Sequence, residues 1–238
     1  MPTITFDNVG ATYSGREILR SISLELTEPR IGIIGENGGG KSTLARLING
    51  LGTATEGKVY YNGTNVARHA KEVRKDVGFI FSDADNQIVM PTVAEDIAFS
   101  LRKQKLPKQE RERRVMEVLS RFGLHNHADD SPHLLSGGQK QLLALASVLV
   151  LEPTTIIADE PTTLLDLRNR LHIRKVFAQL SQQIVVVTHD LNFIDDFDRI
   201  IRVQAGRIVD DGSPEEVIPR YESDMRAFAD GADSDTNS

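Results

Sequence analysis

The apolar positions of the chain follow two rhythms. Ile22, Leu24 and Leu26 alternate with polar neighbours, the period of a strand buried on one face. Residues 31–34 form a short unbroken apolar run instead, and 77–81, 155–158 and 184–187 repeat it, each bounded by polar or turn residues. Runs of this kind suit strands covered on both faces, so they predict a central, largely parallel sheet in an α/β fold. From about Val93 to Val150 the rhythm becomes helical, with scarcely any strand signal. Thr92 to Glu95 has the spacing of a capping box, Pro107 interrupts the helical stretch and Arg111 to Phe122 resumes it. The pattern predicts a helical lobe inserted between the second and third apolar runs. Farther on, residues 200–203 and 208–209 flank Ala205-Gly206 as in a hairpin, and Ser213-Pro214-Glu215-Glu216 opens a helix. After Glu222 the residues turn small, polar and acidic, which predicts a disordered tail over 223–238.

Composition narrows the picture mainly by exclusion. The 238 residues carry 28 Lys plus Arg against 34 Asp plus Glu, a formal net charge of −6, and 39% hydrophobic residues, enough to bury a core in one or two domains. The absence of cysteine excludes disulfides, thiolate metal sites and a cysteine nucleophile. The longest apolar stretch, around Leu142 to Leu151, has about half the length needed to span a bilayer, and Met1 to Asn8 has no basic stretch followed by an apolar core, so neither a span nor a secretory leader is expected. An acidic total leaves no surplus of cations for phosphate backbones, so nucleic acid is not an expected partner.

The chemistry begins directly after the run 31–34. Gly35-Glu36-Asn37-Gly38-Gly39-Gly40-Lys41-Ser42 fits G-x-x-x-x-G-K-[ST] between an apolar strand and a helix-like segment, Ser42 to Asn49. In such a loop Asn37, Gly38, Gly39 and Gly40 turn backbone N–H groups toward phosphate oxygens, and the helix start adds partial positive charge. Lys41 then reaches the β and γ phosphates of ATP, Ser42 offers a hydroxyl to Mg²⁺, and Thr43 lies near the α phosphate. Residues 156–160 form a second element, an apolar strand ending in two carboxylates. Asp159 suits Mg²⁺ through water, and Glu160 suits the water that attacks the γ phosphate.

Leu135-Ser136-Gly137-Gly138-Gln139 precedes an apolar helix and forms a second anion-binding helix start. With this motif the chain resembles an ATP-binding cassette (ABC) ATPase from about Ile4 to Ile218. The resemblance implies a P-loop (RecA-like) α/β core with an N-terminal antiparallel β subdomain and an inserted helical subdomain. The ATPase domain would span 1–222, with the core lobe at 1–85 and 151–222 and the helical lobe at 86–150. It also implies that Ser136, Gly137, Gly138 and Gln139 bind the γ phosphate held by a second ATPase subunit. Tyr13, by itself as readily a half-buried strand aromatic, resembles the residue that stacks on adenine. His189 resembles the histidine that contacts the γ phosphate and attacking water, and Leu165-Asp166 resembles the loop between the two subunits. Two positions depart from the family. Ser82 stands where a Mg²⁺-contacting Gln is common; its hydroxyl can still ligate or hydrogen-bond Mg²⁺, with a shorter side chain, and Gln87 follows too late to be the same residue. Thr162-Thr163-Leu164 replaces a segment that usually contains glycine, with some loss of bend flexibility.

The stretches 79–99 and 162–169 resemble the energy-coupling-factor (ECF) class, most closely the ATPases of biotin transporters. This implies a peripheral ATPase on the cytoplasmic face of the membrane, a homodimer or paired with a related chain, docked on a transmembrane coupling protein and a membrane substrate-binding protein. Between Ser82 and Ser100 the acids Asp83, Asp85, Glu95 and Asp96 occur without Lys or Arg. Glu95 and Asp96 suit a helix first turn, whereas Asp83 and Asp85, with Asn86 and Gln87, are expected to line a groove for an Arg-bearing helix of the membrane partner. A soluble ABC ATPase acting on nucleic acid or ribosomes, and a regulatory module without turnover, are the other readings.

Overall fold

The computed structural model describes residues 1–235, with side-chain surroundings through residue 228. In chain order the first elements are β1 (Ile4–Tyr13), β2 (Arg16–Leu26), β3 (Arg30–Ile34), α1 (Lys41–Ile48), β4 (Glu56–Tyr61), β5 (Thr64–Asn65), α2 (Val66–Asp76) and β6 (Val77–Ile80). Then come α3 (Val93–Ser100), α4 (Lys108–Arg121), α5 (Gly137–Leu149), β7 (Thr155–Asp159), α6 (Leu167–Ala178), β8 (Gln183–Val187), β9 (Arg199–Gln204), β10 (Arg207–Gly212) and α7 (Pro214–Asp235). These elements form two compact units, residues 1–68 with 185–235, and residues 69–184. The division falls at His69, whose φ of −126° kinks α2, and within β8.

In the first unit, β1 and β2 form a long antiparallel hairpin from Ile4 opposite Leu26 to Tyr13 opposite Arg16. Its turn residues Ser14 and Gly15 both have positive φ, the geometry that matches the strand twist of a tight hairpin. β4 pairs with the other edge of β1, and β5 closes this sheet in the order β2-β1-β4-β5. The alternating residues Ile22, Leu24 and Leu26 all point into its core. β3 runs parallel to β9, and β9 turns through Ala205 and Gly206 into antiparallel β10, as expected of that hairpin. α7 is tied to β9 by buried Arg202, which pairs with Asp224 and lies over the Tyr221 ring. The expected disordered tail is therefore corrected: the helix continues to Asp235, because Val217, Tyr221, Met225 and Phe228 carry on a helical period past Glu222. Residues 236–238 of that tail lie outside the described residues.

In the second unit β6 and β7 pair in parallel, from Val77 opposite Thr155 to Ile80 opposite Ala158. The helical stretch resolves into α3, α4 and α5, with the interruption at Pro107 as expected. Every residue of α5 from Gln141 to Leu149 is buried, so α5 is the axis around which this unit packs. Compact packing places β6 and β7 with these helices, whereas the resemblance put the lobe boundaries near residues 85 and 150. Helices α2 and α6 left no clear signal in the hydrophobic pattern, since both are charge-rich and bury only a narrow stripe.

Asp96 has a larger role than a first-turn acid. It is 4% exposed; Oδ1 accepts from the N–H groups of Val89 (2.8 Å) and Met90 (3.1 Å), and Oδ2 accepts from Ser147 Oγ of α5 (3.0 Å). Thr92 Oγ1 accepts from Glu95 N at 3.3 Å, which starts α3 as its sequence implies. Asp96→Ala leaves buried donors without an acceptor and is expected to destabilise the protein by about 2 to 3 kcal/mol. Denaturant unfolding of the variant measures it, and a midpoint equal to wild type refutes the role of this carboxylate.

Candidate functional site

The phosphate loop lies in the first unit between β3 and α1. Gly35 has φ +138°, and a Cβ there would come within 1.9 Å of Val203 O on β9, so only glycine lets the loop leave the sheet along this path. Gly40, at φ +107°, likewise has Ile18 O 2.9 Å from where a Cβ would stand. The middle of the loop is pinned by backbone: Gly39 N donates to Glu36 O (3.1 Å), and Gly206 N, in the β9–β10 turn, donates to Gly39 O (3.0 Å). Asn37 and Gly38 form the exposed crest. α1 starts at Gly40 without any side-chain cap and with no acid in its first turn, which keeps the positive end of the helix open to an anion.

Lys41 is 6% exposed, and its Nζ donates to Gly35 O (2.8 Å) and Glu36 O (2.9 Å). The ammonium thus lies inside the arch of its own loop, where it holds the arch in shape and fits phosphate oxygens. Ser42 and Thr43 follow on the partly exposed first turn of α1. Tyr13 is 43% exposed at the end of β1, and its hydroxyl accepts from Thr53 N at 3.4 Å. That contact anchors the phenol while leaving much of the ring accessible. His189 is exposed beyond β8, on a bend closed by Asp190 N donating to Thr188 Oγ1 (2.9 Å).

The second unit carries the remaining groups. β7 ends in Asp159, 3% exposed, followed by the partly exposed Glu160. Glu160 adopts φ +54°, the left-handed region that is uncommon for a non-glycine residue. Thr163 stabilises that turn: its N–H donates to Glu160 O (3.2 Å) and its Oγ1 to Glu160 Oε2 (3.4 Å). Leu164 also has positive φ, so the turn forms without the glycine the segment lacks. Asp166 caps α6 by accepting from Asn169 N (2.8 Å). Ser136 caps α5 in a full capping box with Gln139, and Gly137 and Gly138 form the helix's first turn.

Ser82 is exposed just beyond β6. Gln87 has an internal task, since its Oε1 accepts from Phe81 N (3.2 Å) and its Nε2 donates to Ala144 O (3.4 Å). Gln141 Nε2 reaches Phe81 O at 3.5 Å, so two glutamines fix the chain where it leaves β6. Asp83 caps the short turn 84–86, accepting from Asp85 N (3.0 Å) and Asn86 Nδ2 (2.9 Å), while Asp85 pairs with Lys140 of α5 at 2.7 Å. Both acids therefore have internal partners, which their surrounding sequence did not indicate.

The model of the ABC transporter family matches residues 19–163. The Biotin transport ATP-binding protein BioM of Rhizobium etli is 46% identical over 92% of this chain and 97% of its own length. The Energy-coupling factor transporter ATP-binding protein EcfA1 of Caldanaerobacter subterraneus subsp. tengcongensis is 37% identical over 92% of this chain and 83% of its own. Among solved structures, cbiO1 of Clostridium perfringens, part of the ABC transporter complex cbiONQ, superposes with a TM-score of 0.82 at 31% identity, covering 94% of this chain and 93% of that one. The chain belongs to the ABC transporter family of ATP-binding proteins. It is a transport ATPase, an ATP-binding protein of an ABC transporter.

The ATPase has the donors its substrate needs. A triphosphate suits the glycine arch, the Lys41 ammonium and the uncapped α1 start. Among the described residues no group of three or more His, Cys, Asp or Glu side chains could hold a metal ion. Mg²⁺ commonly takes one or two protein oxygens plus phosphates and water, and Ser42 and Asp159 are donors of that kind. Three supporting residues escaped the sequence reading. Thr163 and Thr188 look like loop threonines, and Asp96 reads as an ordinary first-turn acid; only the fold reveals what each one holds. Lys41→Ala is expected to raise the Kd for ATP about 10- to 100-fold, the loss of one charge-assisted contact. Titration with a fluorescent nucleotide measures it, and an unchanged Kd removes Lys41 from the site.

Proposed function

We propose that this ATPase energises an ECF-type importer of a vitamin, with biotin the favoured substrate, by closing a dimer around two Mg²⁺-bound ATP molecules and reopening after hydrolysis. The observation that carries the reading is that each unit has a helix beginning at glycine with no acid in its first turn, α1 uncapped after the glycine arch and α5 capped by Ser136 and Gln139. One triphosphate needs one such cradle, so the second is assigned to nucleotide on another ATPase subunit, the same chain or a related one. Exposed leucines on the second unit support a protein partner: Leu164, Leu167 and Leu171 are 94%, 63% and 57% exposed on the turn and helix that follow Glu160.

In this reading Tyr13 stacks on adenine; Asn37, Gly38, Gly39, Gly40, Lys41 and Thr43 hold the phosphates; and Ser42 and Asp159 hold Mg²⁺, with the Ser82 hydroxyl as a further ligand or hydrogen-bond partner. Glu160 orients the attacking water and His189 contacts the γ phosphate. Ser136, Gly137, Gly138 and Gln139 complete the partner's site. A groove of about 530 Å³ in the second unit, lined by Ile88, Val89, Met90, Pro91 and Pro132, has the Asp85–Lys140 pair beside it. It suits a short helix of a transmembrane coupling protein, with an Arg of that helix replacing Lys140 at Asp85 while Asp83, Asn86 and Gln87 shape the adjoining turn. Such docking would hold the ATPase at the cytoplasmic face of the membrane. The 46% identity to a biotin transport ATP-binding protein supports biotin.

Three measurements test the reading. Glu160→Gln keeps shape but removes the group that orients water, so ATP binding should persist, hydrolysis should fall by about 100-fold or more, and a dimer should accumulate on size exclusion with ATP. Ser136→Arg and Lys41→Ala chains should each be inactive, and mixing them should restore one composite site per mixed dimer. Mixed dimers that form yet recover no activity would sink the shared-site arrangement, and biotin uptake independent of this ATPase would sink the substrate.

A further inference from the structure

The capping box at α5 is one end of a longer hydrogen-bond chain. Ser136 Oγ accepts from Gln139 N (3.3 Å), and Gln139 Oε1 accepts from Ser136 N (2.9 Å). The other end of the Gln139 amide, Nε2, lies 3.1 Å from His127 Nε2, and His127 Nδ1 lies 2.7 Å from Asp130 Oδ2. An amide nitrogen can only donate and a carboxylate can only accept, so both ends of the ring have fixed roles. His127 must accept at Nε2 and carry its hydrogen on Nδ1. The chain then runs in one direction: Ser136 N–H to Gln139 Oε1, Gln139 Nε2–H to His127 Nε2, and His127 Nδ1–H to Asp130.

The relay is anchored at its far end. His127 N donates to Leu124 O (2.9 Å), Asp130 N donates to His127 O (3.0 Å), and the start of α3 is bound to the same loop through Val93 N to Asp130 O (3.1 Å) and Ala94 N to Ala128 O (2.9 Å). A hydrogen on Nε2 would face the Gln139 NH₂ group donor to donor. Turning the amide over relieves that contact but aims the NH₂ group at the Ser136 N–H. Neither amide orientation then satisfies both neighbours, and the half of the box that holds the Ser136 N–H opens.

We propose that His127, kept by Asp130 in its Nδ1–H form, is a positioning residue for the nucleotide-engaging start of α5, setting the Gln139 amide and through it Ser136. The proposal rests on the reading that this helix start engages ATP across a dimer. Its test has two arms in the full-length chain. Long-range ¹H–¹⁵N spectra of the ring should show the hydrogen on Nδ1; a hydrogen on Nε2 overturns the proposal whether or not the chain dimerises, so its failure is distinct from failure of the dimer reading. In steady-state ATP hydrolysis, His127→Lys supplies only donors and should lower kcat about fivefold with little change in KM, the loss of one or two hydrogen bonds at a group used after binding. His127→Gln can present Oε1 where the ring presents Nε2 and should keep kcat within about twofold. Equal losses in the two variants, or an effect confined to KM, also overturn it.

Discussion

The phosphate loop runs so close to neighbouring backbone that side chains have no space along part of its path, and the order of the first unit follows from that constraint. At Gly35 the carbonyl of Val203 occupies the place of a Cβ, and at Gly40 the carbonyl of Ile18 nearly does so. β9 must therefore lie beside β3, and the β9–β10 turn must reach the loop, where Gly206 N meets Gly39 O while Gly206 O accepts from Arg20 N of β2. One turn thus links the loop, the antiparallel sheet and the α1 start. The backbone donors of the cradle are held by backbone contacts with little dependence on side-chain rotamers, so ordering them for phosphate requires little rearrangement.

The second unit reaches the same end by another route. Its loops are fixed by side chains that satisfy backbone groups: Asp96 holds Val89 and Met90, Gln87 and Gln141 hold Phe81, and Gln139 holds Ser136. All four holders either belong to α5, as Gln139 and Gln141 do, or bond to it, as Asp96 does at Ser147 and Gln87 at Ala144. α5 is buried along most of its length, so its position is set by packing and the loops inherit that position.

Much of this was legible in the sequence because it depends on local patterns. The four apolar runs, the loop G-x-x-x-x-G-K-S, the acidic strand end and Ser136 before an apolar helix are contiguous, and their backbone consequences follow from spacing. What could not be read depends on pairing across long separations. Asp96 meets Ser147 across 51 residues, and Lys140 meets Asp85 across 55, so neither acid disclosed its partner. α6 was hidden for a different reason: Arg168, Arg170, Arg174 and Lys175 break up its apolar period, and Ile173 and Phe177 are its buried residues. The tail was misread because composition outweighed a weak period of apolar residues spaced three to four apart.

The two carboxylates at the end of β7 show how adjacent residues acquire different work. In an extended strand they would simply face opposite sides. Instead Asp159 completes the buried strand at 3% exposure, and Glu160 turns to φ +54°, a conformation that costs an L-residue about 1 to 2 kcal/mol. The bonds from Thr163 to its carbonyl and carboxylate offset that cost. A glycine would take the turn without strain, but it would bring no carboxylate. The strained turn points Glu160 away from the strand direction and into a partly exposed setting, where a water can be oriented. Asp159 keeps the enclosed place suited to a fixed cation and its ordered waters. In the function proposed above, the difference in surroundings, more than the identity of the side chains, would separate the metal-side role from the water-side role.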